Sequence, residues 1–411
     1  MNCINDRKLT SSVTKAIVFH IYFMACKNML ASSTIIAKYN TYLNIIAIIA
    51  IVLLYSNFLF LHGGIRHIPL KTIIIIVFVV LFWIISYCID PKLFVETEWP
   101  YSYVRKAAVF FFAYGLPLLL STSILDDYSE LGYLLYKYVD VLYYTALISF
   151  VLSRTGLGIS SISSDIYSMS YGNNVLICYS LLCMRYIDKN RAFDLIKMSS
   201  LILFVIIYGS RGPLVSMFVM IIYMIIKVSN SKKGIIFVFV ATLALVLSFI
   251  FRDTLINIII SILGNFGISS RTLILLKAGE LASHDSGRNW YHDTLIEAIN
   301  QSPVLGIGAF GGEKTVSMSH SFYLDVFANF GYIFGALLLF IIGYSIIKLI
   351  IRYPNSVEAR MVLIYSFILF PRGFFDDNVW AVERIWVIIG VLISASNHLM
   401  KNDLKHKHYY E

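Results

Sequence analysis

The sequence predicts an all-α, polytopic membrane protein. Of its 411 residues, 58% are hydrophobic and only 14% are charged, against roughly 45–50% and about 25% in soluble domains. The apolar residues come in runs of roughly twenty, the length that crosses a hydrocarbon core as a helix. One long, more polar interval, Arg252 to Ser319, interrupts those runs late in the chain. A mean hydropathy of +0.76 is more than one soluble core absorbs.

Taken in order, about twelve spans are expected. A first, interrupted by Lys15 and Lys27, lies near Val13–Leu30. Tyr42–Leu61, Leu70–Ile89, Val104–Leu125, Leu131–Leu152 and Tyr171–Ile187 follow. Phe193–Tyr208 and Pro213–Val228 form a tight hairpin, and Gly234–Phe251 leads into the polar interval. Phe322–Ile350, Met361–Phe370 with its flanks and Ile385–Ser396 complete the set. The chain therefore divides into a nine-span part (1–251), a large loop (252–319) and a three-span part with a tail (320–411). Cytoplasmic loops are enriched in Lys and Arg. Placing both termini inside puts eighteen of the 33 basic residues there, among them Arg185, Lys197, Lys348 and Arg352. The large loop is then outside.

The net charge of +9 does not indicate a nucleic-acid partner, because the basic residues are scattered among short loops, as membrane topology requires. Five cysteines, odd in number and without a CxxC, read as small buried hydrophobes and not as a disulfide or metal framework. No cleavable signal is expected: 1–14 is polar, and no small-residue cleavage site follows the first apolar run.

A loop this long is uncommon unless it is functional or disordered, and this one is not of low complexity. From Asn289 to Asn300, Trp290, Tyr291, Leu295, Ala298 and Ile299 recur at helical spacing, an amphipathic helix with Trp290 and Tyr291 suited to a membrane interface. It stops at Gln301-Ser302-Pro303. The following Gly306-Ile307-Gly308-Ala309-Phe310-Gly311-Gly312 reads as a turn that lets backbone approach a ligand.

Several residues suit anion chemistry on the outer face. In Tyr208-Gly209-Ser210-Arg211-Gly212-Pro213, Ser210 is a candidate N-cap and Pro213 fits a first helical turn. Free N–H groups and the positive dipole end would then lie beside Arg211, a setting for phosphate. Snorkelling of Arg211 to lipid headgroups explains it equally well. Arg288 also precedes a helix and could add a second charge, or be a solvated loop residue. Arg271 and Arg372 are weaker candidates. His320 is expected to begin a helix carrying Tyr323, Leu324 and Phe327. Its ordinary pKa suits a general base, although a His at a helix start is more often a cap. Asp325 falls about 140° round that helix from His320 and is not paired with it. The loop carboxylates Asp253, Glu280, Asp285, Asp293, Glu297 and Glu313 form no metal or acid–base pattern. There is no HExxH, Walker loop or nucleotide-binding Gly motif, and no metal or cofactor is expected.

Three segments together resemble the O-antigen ligase/polymerase family of bacterial envelope enzymes. They are Ser210-Arg211-Gly212; Ser286-Gly287-Arg288-Asn289-Trp290 running on to Pro303-Val304-Leu305-Gly306-Ile307-Gly308; and His320-Ser321-Phe322-Tyr323-Leu324 with Gly331 and Gly335. Where that family often has Asn after the His and an acidic residue further on, this chain has Ser321 and Asn329. The resemblance implies a GT-C-like, metal-independent glycosyltransferase in the bacterial inner membrane, with an undecaprenyl-pyrophosphate-linked oligosaccharide as donor. Arg211 and Arg288 would hold the pyrophosphate, and His320 would activate the acceptor hydroxyl. Implied partners are membrane lipid and a chain-length regulator. A polymerase of repeat units in O-antigen or capsule is the first expectation, and a ligase onto lipid A core the close rival. A transporter or flippase is the rival of another class. Transporters are often built as repeated halves with broken helices, whereas the polar features here collect in one loop.

Overall fold

The computed structural model describes residues 2–33, 36, 38–61, 63–96, 98–154, 169–208, 210–228, 252–265, 271–279, 288–317, 319–375 and 378–408. Every regular element among them is a helix. The helices are α1 (Asn2–Ala31), α2 (Asn40–Ser56), α3 (Leu70–Ile89), α4 (Lys92–Val95), α5 (Ser102–Phe110), α6 (Leu116–Ile124), α7 (Ser129–Arg154), α8 (Met169–Lys189), α9 (Ala192–Tyr208), α10 (Arg211–Val228), α11 (Arg252–Asn265), α12 (Arg271–Ala278), α13 (Arg288–Gln301), α14 (Gly311–Val316), α15 (Phe322–Arg352), α16 (Val357–Leu369) and α17 (Glu383–His408). A π-turn at Phe111–Gly115 joins α5 to α6.

Six of these segments are long and apolar enough to cross a membrane: Leu9–Ala31, Asn40–Phe60, Leu70–Ile89, Ser102–Ile124, Ser129–Ser153 and Phe322–Arg352. The polytopic class therefore stands, but the expected twelve crossings are not reached on these criteria among the described residues. Two expected spans correspond to helices that are short for a full crossing, α9 with 17 residues and α16 with 13. The expected span Gly234–Phe251 lies outside the described residues. The interval read as one long polar loop is largely helical. It opens with α11, whose sequence is rich in Ile and which buries Ile256.

The chain forms two compact units. The first comprises Met1–His20, Ile46–Leu134 and Ser286–Glu411; the second comprises Ile21–Ile45 and Leu135–Asp285. The second unit packs α8, α9 and α10 together. Tyr171 stacks on Tyr208 at 4.1 Å between ring centroids, and Phe150 on Phe204 at 4.4 Å. Arg185 and Lys197 lie within the expected spans 171–187 and 193–208, and topology alone would aim both at the cytoplasmic surface. Both are buried in a paired cluster instead: Arg185 reaches Asp194 (2.5 Å) and Asp140 (2.9 Å), and Lys197 reaches Asp140 (2.7 Å). Two cations facing two carboxylates offset the desolvation that each alone would suffer.

The first unit has an aromatic core. Trp83 packs on Phe310 at 4.8 Å, Phe111 on Trp386 at 4.8 Å, and Phe82 on Phe330 at 5.0 Å, with Trp380 among them. Its long helix α15 is broken at Gly331, where φ is 74° and ψ is 171°.

Candidate active site

The break in α15 organises the first unit's candidate residues. In an unbroken helix the Tyr332 N–H would donate to the Ala328 carbonyl. Here Tyr332 N–H donates to Pro303 O (2.7 Å), and Ala328 O accepts from the Ile307 N–H (2.7 Å). The segment 303–312 thus replaces the missing turn of α15 with its own backbone. The Phe310 N–H donates to Asn329 Oδ1 (2.7 Å), and the Ala309 N–H donates to Ser86 Oγ (2.8 Å). The glycine-rich stretch read as a ligand-facing turn therefore approaches the protein's own backbone. A Cβ on Gly306 would lie 2.4 Å from Gly331 N.

Asp325 and Asn329, one turn apart on α15, complete the stitching. Asp325 Oδ2 accepts from the Val379 N–H (2.6 Å), and Asn329 Oδ1 accepts from Trp380 Nε1 (2.7 Å). Both side chains are buried. Neither was singled out in the sequence as a structural anchor. The available signal was a polar pair four residues apart in an apolar helix.

His320 does not begin α15. The helix starts at Phe322, and Ser321 is its N-cap, accepting from the Leu324 N–H at 3.4 Å. His320 precedes the cap with φ 51°, in the left-handed region, where His is among the enriched non-glycine residues. Its half-buried ring meets the edge of Tyr291 at 5.3 Å and 72°. Tyr291 belongs to α13, expected over Asn289–Asn300 and observed over Arg288–Gln301. Arg288 is the first residue of that helix, three positions from Tyr291, so one turn separates its backbone from the aromatic partner of His320. Leu295 and Ile299 of α13 are buried against Val316 and Ala328, which fixes the helix on α14 and α15. The preceding Ser286 and Gly287 lie outside the described residues.

Arg372 is buried in a short turn, Arg372–Phe374, next to the start of α15. A Cβ on the adjoining Gly373 would lie 3.1 Å from Phe322 Cβ, and Tyr323 Oη donates to Phe370 O (2.9 Å). The first unit thus collects Arg288, His320 and Arg372 around the junction of α13, α14 and α15.

Glu313 of α14, which forms no pattern with the other loop carboxylates in the sequence, is set apart by its burial. It is 1% exposed, and neither carboxylate oxygen has a hydrogen-bond partner. Burial, and then the neighbouring Asp325 carboxylate, push its pKa well above the ordinary range. The adjacent Lys314 donates to Ile307 O (2.7 Å). Burial lowers its pKa, and Asp90 opposes that shift.

The second unit holds the other two candidates. Arg211 is the first residue of α10 and is half-buried. Ser210 does not make the expected cap: its hydroxyl is buried without a hydrogen-bond partner. Close packing accounts for this, because a Cβ on Gly172 would lie 2.9 Å from Pro213 Cγ and 3.1 Å from Ser210 Oγ. Arg271 is the first residue of α12, but its side chain lies outside the described residues. Among the described residues, no group of three or more His, Cys, Asp or Glu is placed to hold a metal ion.

The helices and this junction define a polytopic, all-helical membrane protein in which a folded loop repairs a broken transmembrane helix beside a His. Residues 198–340, just over a third of the chain, match the family model Wzy_C, described as O-Antigen ligase, consistent with the O-antigen ligase/polymerase resemblance. Neither the comparison with curated proteins nor that with solved structures gave a match. The matched segment contains Arg211, Arg271, Arg288 and His320, and Arg372 lies beyond it. Members of the family are glycosyltransferase-like enzymes of O-antigen biosynthesis.

Proposed function

We propose that the chain is a polymerase of undecaprenyl-pyrophosphate-linked repeat units, acting at the outer face of the bacterial inner membrane. In the reaction, an acceptor sugar hydroxyl attacks the anomeric carbon of the donor. The bond from that carbon to the pyrophosphate oxygen breaks, and the pyrophosphate leaves with the electron pair. His320 takes the hydroxyl proton or orients the hydroxyl. Arg288 holds the pyrophosphate and stabilises its developing charge, with Arg372 as a supporting cation of the same unit. The observation that carries this reading is the Tyr291–His320 contact, because it brings the start of an Arg-led helix next to the one His of the matched domain's final motif.

A ligase reading is retained because the matching family carries that description. It predicts the same donor and another acceptor, the lipid A core. The test mixes purified protein with lipid-pyrophosphate repeat units, without nucleotide sugars and with a chelator present. Wild type should lengthen the glycan, and His320→Ala should slow the transfer by about 100- to 10,000-fold. Absence of elongation by folded wild type, with transfer to added lipid A core, would replace polymerase by ligase. Equal rates in wild type and variant would remove His320 from the chemistry.

A further inference from the structure

We infer that the first unit carries a binding site for an anionic glycerophospholipid, whose headgroup end lies at the far end of α15 from His320. The site is a cavity of about 510 Å³ between α3, α15 and α17, within the size range of roughly 300–1,000 Å³ typical of ligand sites. Its walls are almost wholly apolar. Along α15 its lining takes in Phe322, Val326 and Phe330 before the break at Gly331, and Leu338 to Arg352 after it; the latter stretch is fourteen steps of about 1.5 Å, or roughly 21 Å. One leaflet of a hydrocarbon core about 30 Å thick is roughly 15 Å deep. The stretch after the break is therefore long enough to hold an acyl chain lying in one leaflet. Trp380 and Trp386 line it towards the His320 end.

The opposite end is cationic. Lys71 in the first turn of α3, together with Lys348 and Arg352 in the last turns of α15, lines it. Lys348 and Arg352 are four residues apart and share a helix face. Lys71 donates to Ser396 Oγ on α17 (2.7 Å), which holds the ammonium over the groove mouth. Among the described lining residues there is no Asp or Glu. Three cations above an apolar groove are complementary to a phosphate headgroup bearing an acyl tail. Basic pockets between transmembrane helices bind anionic lipid headgroups on this principle. The cations lie at the far end of α15 from His320, about 30 helical steps away, so a pyrophosphate engaged near His320 would not reach them. A headgroup at those cations is thus separate from the transfer chemistry, although the apolar groove itself extends to Phe322 at the start of α15.

The test is native mass spectrometry of the intact, delipidated protein re-equilibrated with phosphatidylglycerol and phosphatidylcholine of identical acyl chains. Wild type should retain one phosphatidylglycerol, with a preference on the order of tenfold. The triple variant Lys71→Gln/Lys348→Gln/Arg352→Gln should lose the preference. Ser345→Trp, which fills the groove, should lose retention of both lipids, and Ser345→Leu serves if the Trp variant does not accumulate. Equal retention of the two lipids by wild type would overturn the proposal, as would an unchanged preference in the triple variant. Displacement of phosphatidylglycerol by a polyprenyl phosphate would assign the groove to the donor. Loss of lipid binding on dimerisation would assign it to a second copy. Either result would also overturn the proposal. None of these measurements depends on transfer activity.

Discussion

His320 carries two burdens that one substitution can separate. Its backbone sits at φ 51° ahead of the Ser321 cap, and its imidazole packs on Tyr291. Alanine loses both left-handed tolerance and base. Asparagine tolerates the left-handed region but has no basic nitrogen. His320→Asn should therefore show a melting temperature close to wild type in detergent while transfer falls by the same 100- to 10,000-fold expected of a lost base. Restored transfer in His320→Asn would make the backbone, and not the ring, the reason for a His here. Arg288 invites a similar comparison. A guanidinium grips a pyrophosphate through two parallel hydrogen bonds that an ammonium cannot reproduce. Arg288→Lys should recover only part of the transfer lost in Arg288→Ala, and full recovery would leave a simple point charge.

Glu313 offers a residue-scale prediction free of the proposed chemistry. Burial and the Asp325 carboxylate raise its pKa in the folded protein above the ordinary value of about 4.3 that it has when unfolded. Below that value both states are protonated, and the carboxyl's contribution to stability is fully present. As pH rises, folding must take up a proton, so that contribution is lost until the folded pKa is passed. Glu313→Gln keeps the shape and is neutral throughout. Its melting temperature should meet that of wild type near pH 4 and exceed it by a margin that widens towards alkaline pH. A margin independent of pH would mean that Glu313 is ionised in the fold.

At the scale of elements, the kink in α15 is the feature to test. Gly331 occupies a region of φ and ψ that is essentially glycine-only, at a cost of about 1–3 kcal/mol for other residues. An added Cβ would also lie 2.3 Å from Val304 O and 2.7 Å from Gly306 N. Gly331→Ala should lower the yield of folded protein sharply and abolish transfer. At Gly343, in the same helix, an added Cβ would meet nothing within 4 Å, and alanine there should be neutral or stabilise by about 0.5–1 kcal/mol. If both substitutions behave alike, the lacing of 303–312 onto α15 is not what holds the junction. Much of this is legible in the sequence. The period of apolar residues locates α13 to within one residue at each end, because an amphipathic stripe ends where Gln301-Ser302-Pro303 removes it. The same periodicity misses α11, whose apolar residues are assigned to a loop because Arg252 and Asp253 at its start look polar. Gly306–Gly312 is misread as well. Composition shows that a backbone will come close to something, but which partner it meets is decided by α15, a helix that looks unbroken in sequence apart from Gly331. Glu313 and Asp325 are visible in the sequence but their roles are not, for a related reason: charge in a sequence gives no sign of burial, which only the packing of α14 on α15 creates.

For the whole molecule, orientation decides whether the proposed chemistry is on the correct side. The excess of Lys and Arg in alternate loops favours cytoplasmic termini and an external His320. Helix α15 turns that inference into a paired measurement. The part after its break at Gly331, residues 332–352, still reaches roughly 31 Å at about 1.5 Å per residue, which matches the hydrocarbon thickness of about 30 Å. Residues just before and just after it must then lie on opposite sides. Glu297 on α13 and Asn355 beyond α15 are both exposed, so single cysteines there should disturb little. In a cysteine-free background, a membrane-impermeant maleimide applied to spheroplasts should label Glu297→Cys at once. Asn355→Cys should be labelled only after permeabilisation. Such a result would also put Lys71, Lys348 and Arg352 at the cytoplasmic leaflet, the side where anionic headgroups attract clustered cations. The reverse pattern would place His320 in the cytoplasm, away from an externally presented donor, and would overturn the transfer mechanism. Labelling of both positions from one side would instead remove α15 from the set of membrane-crossing helices.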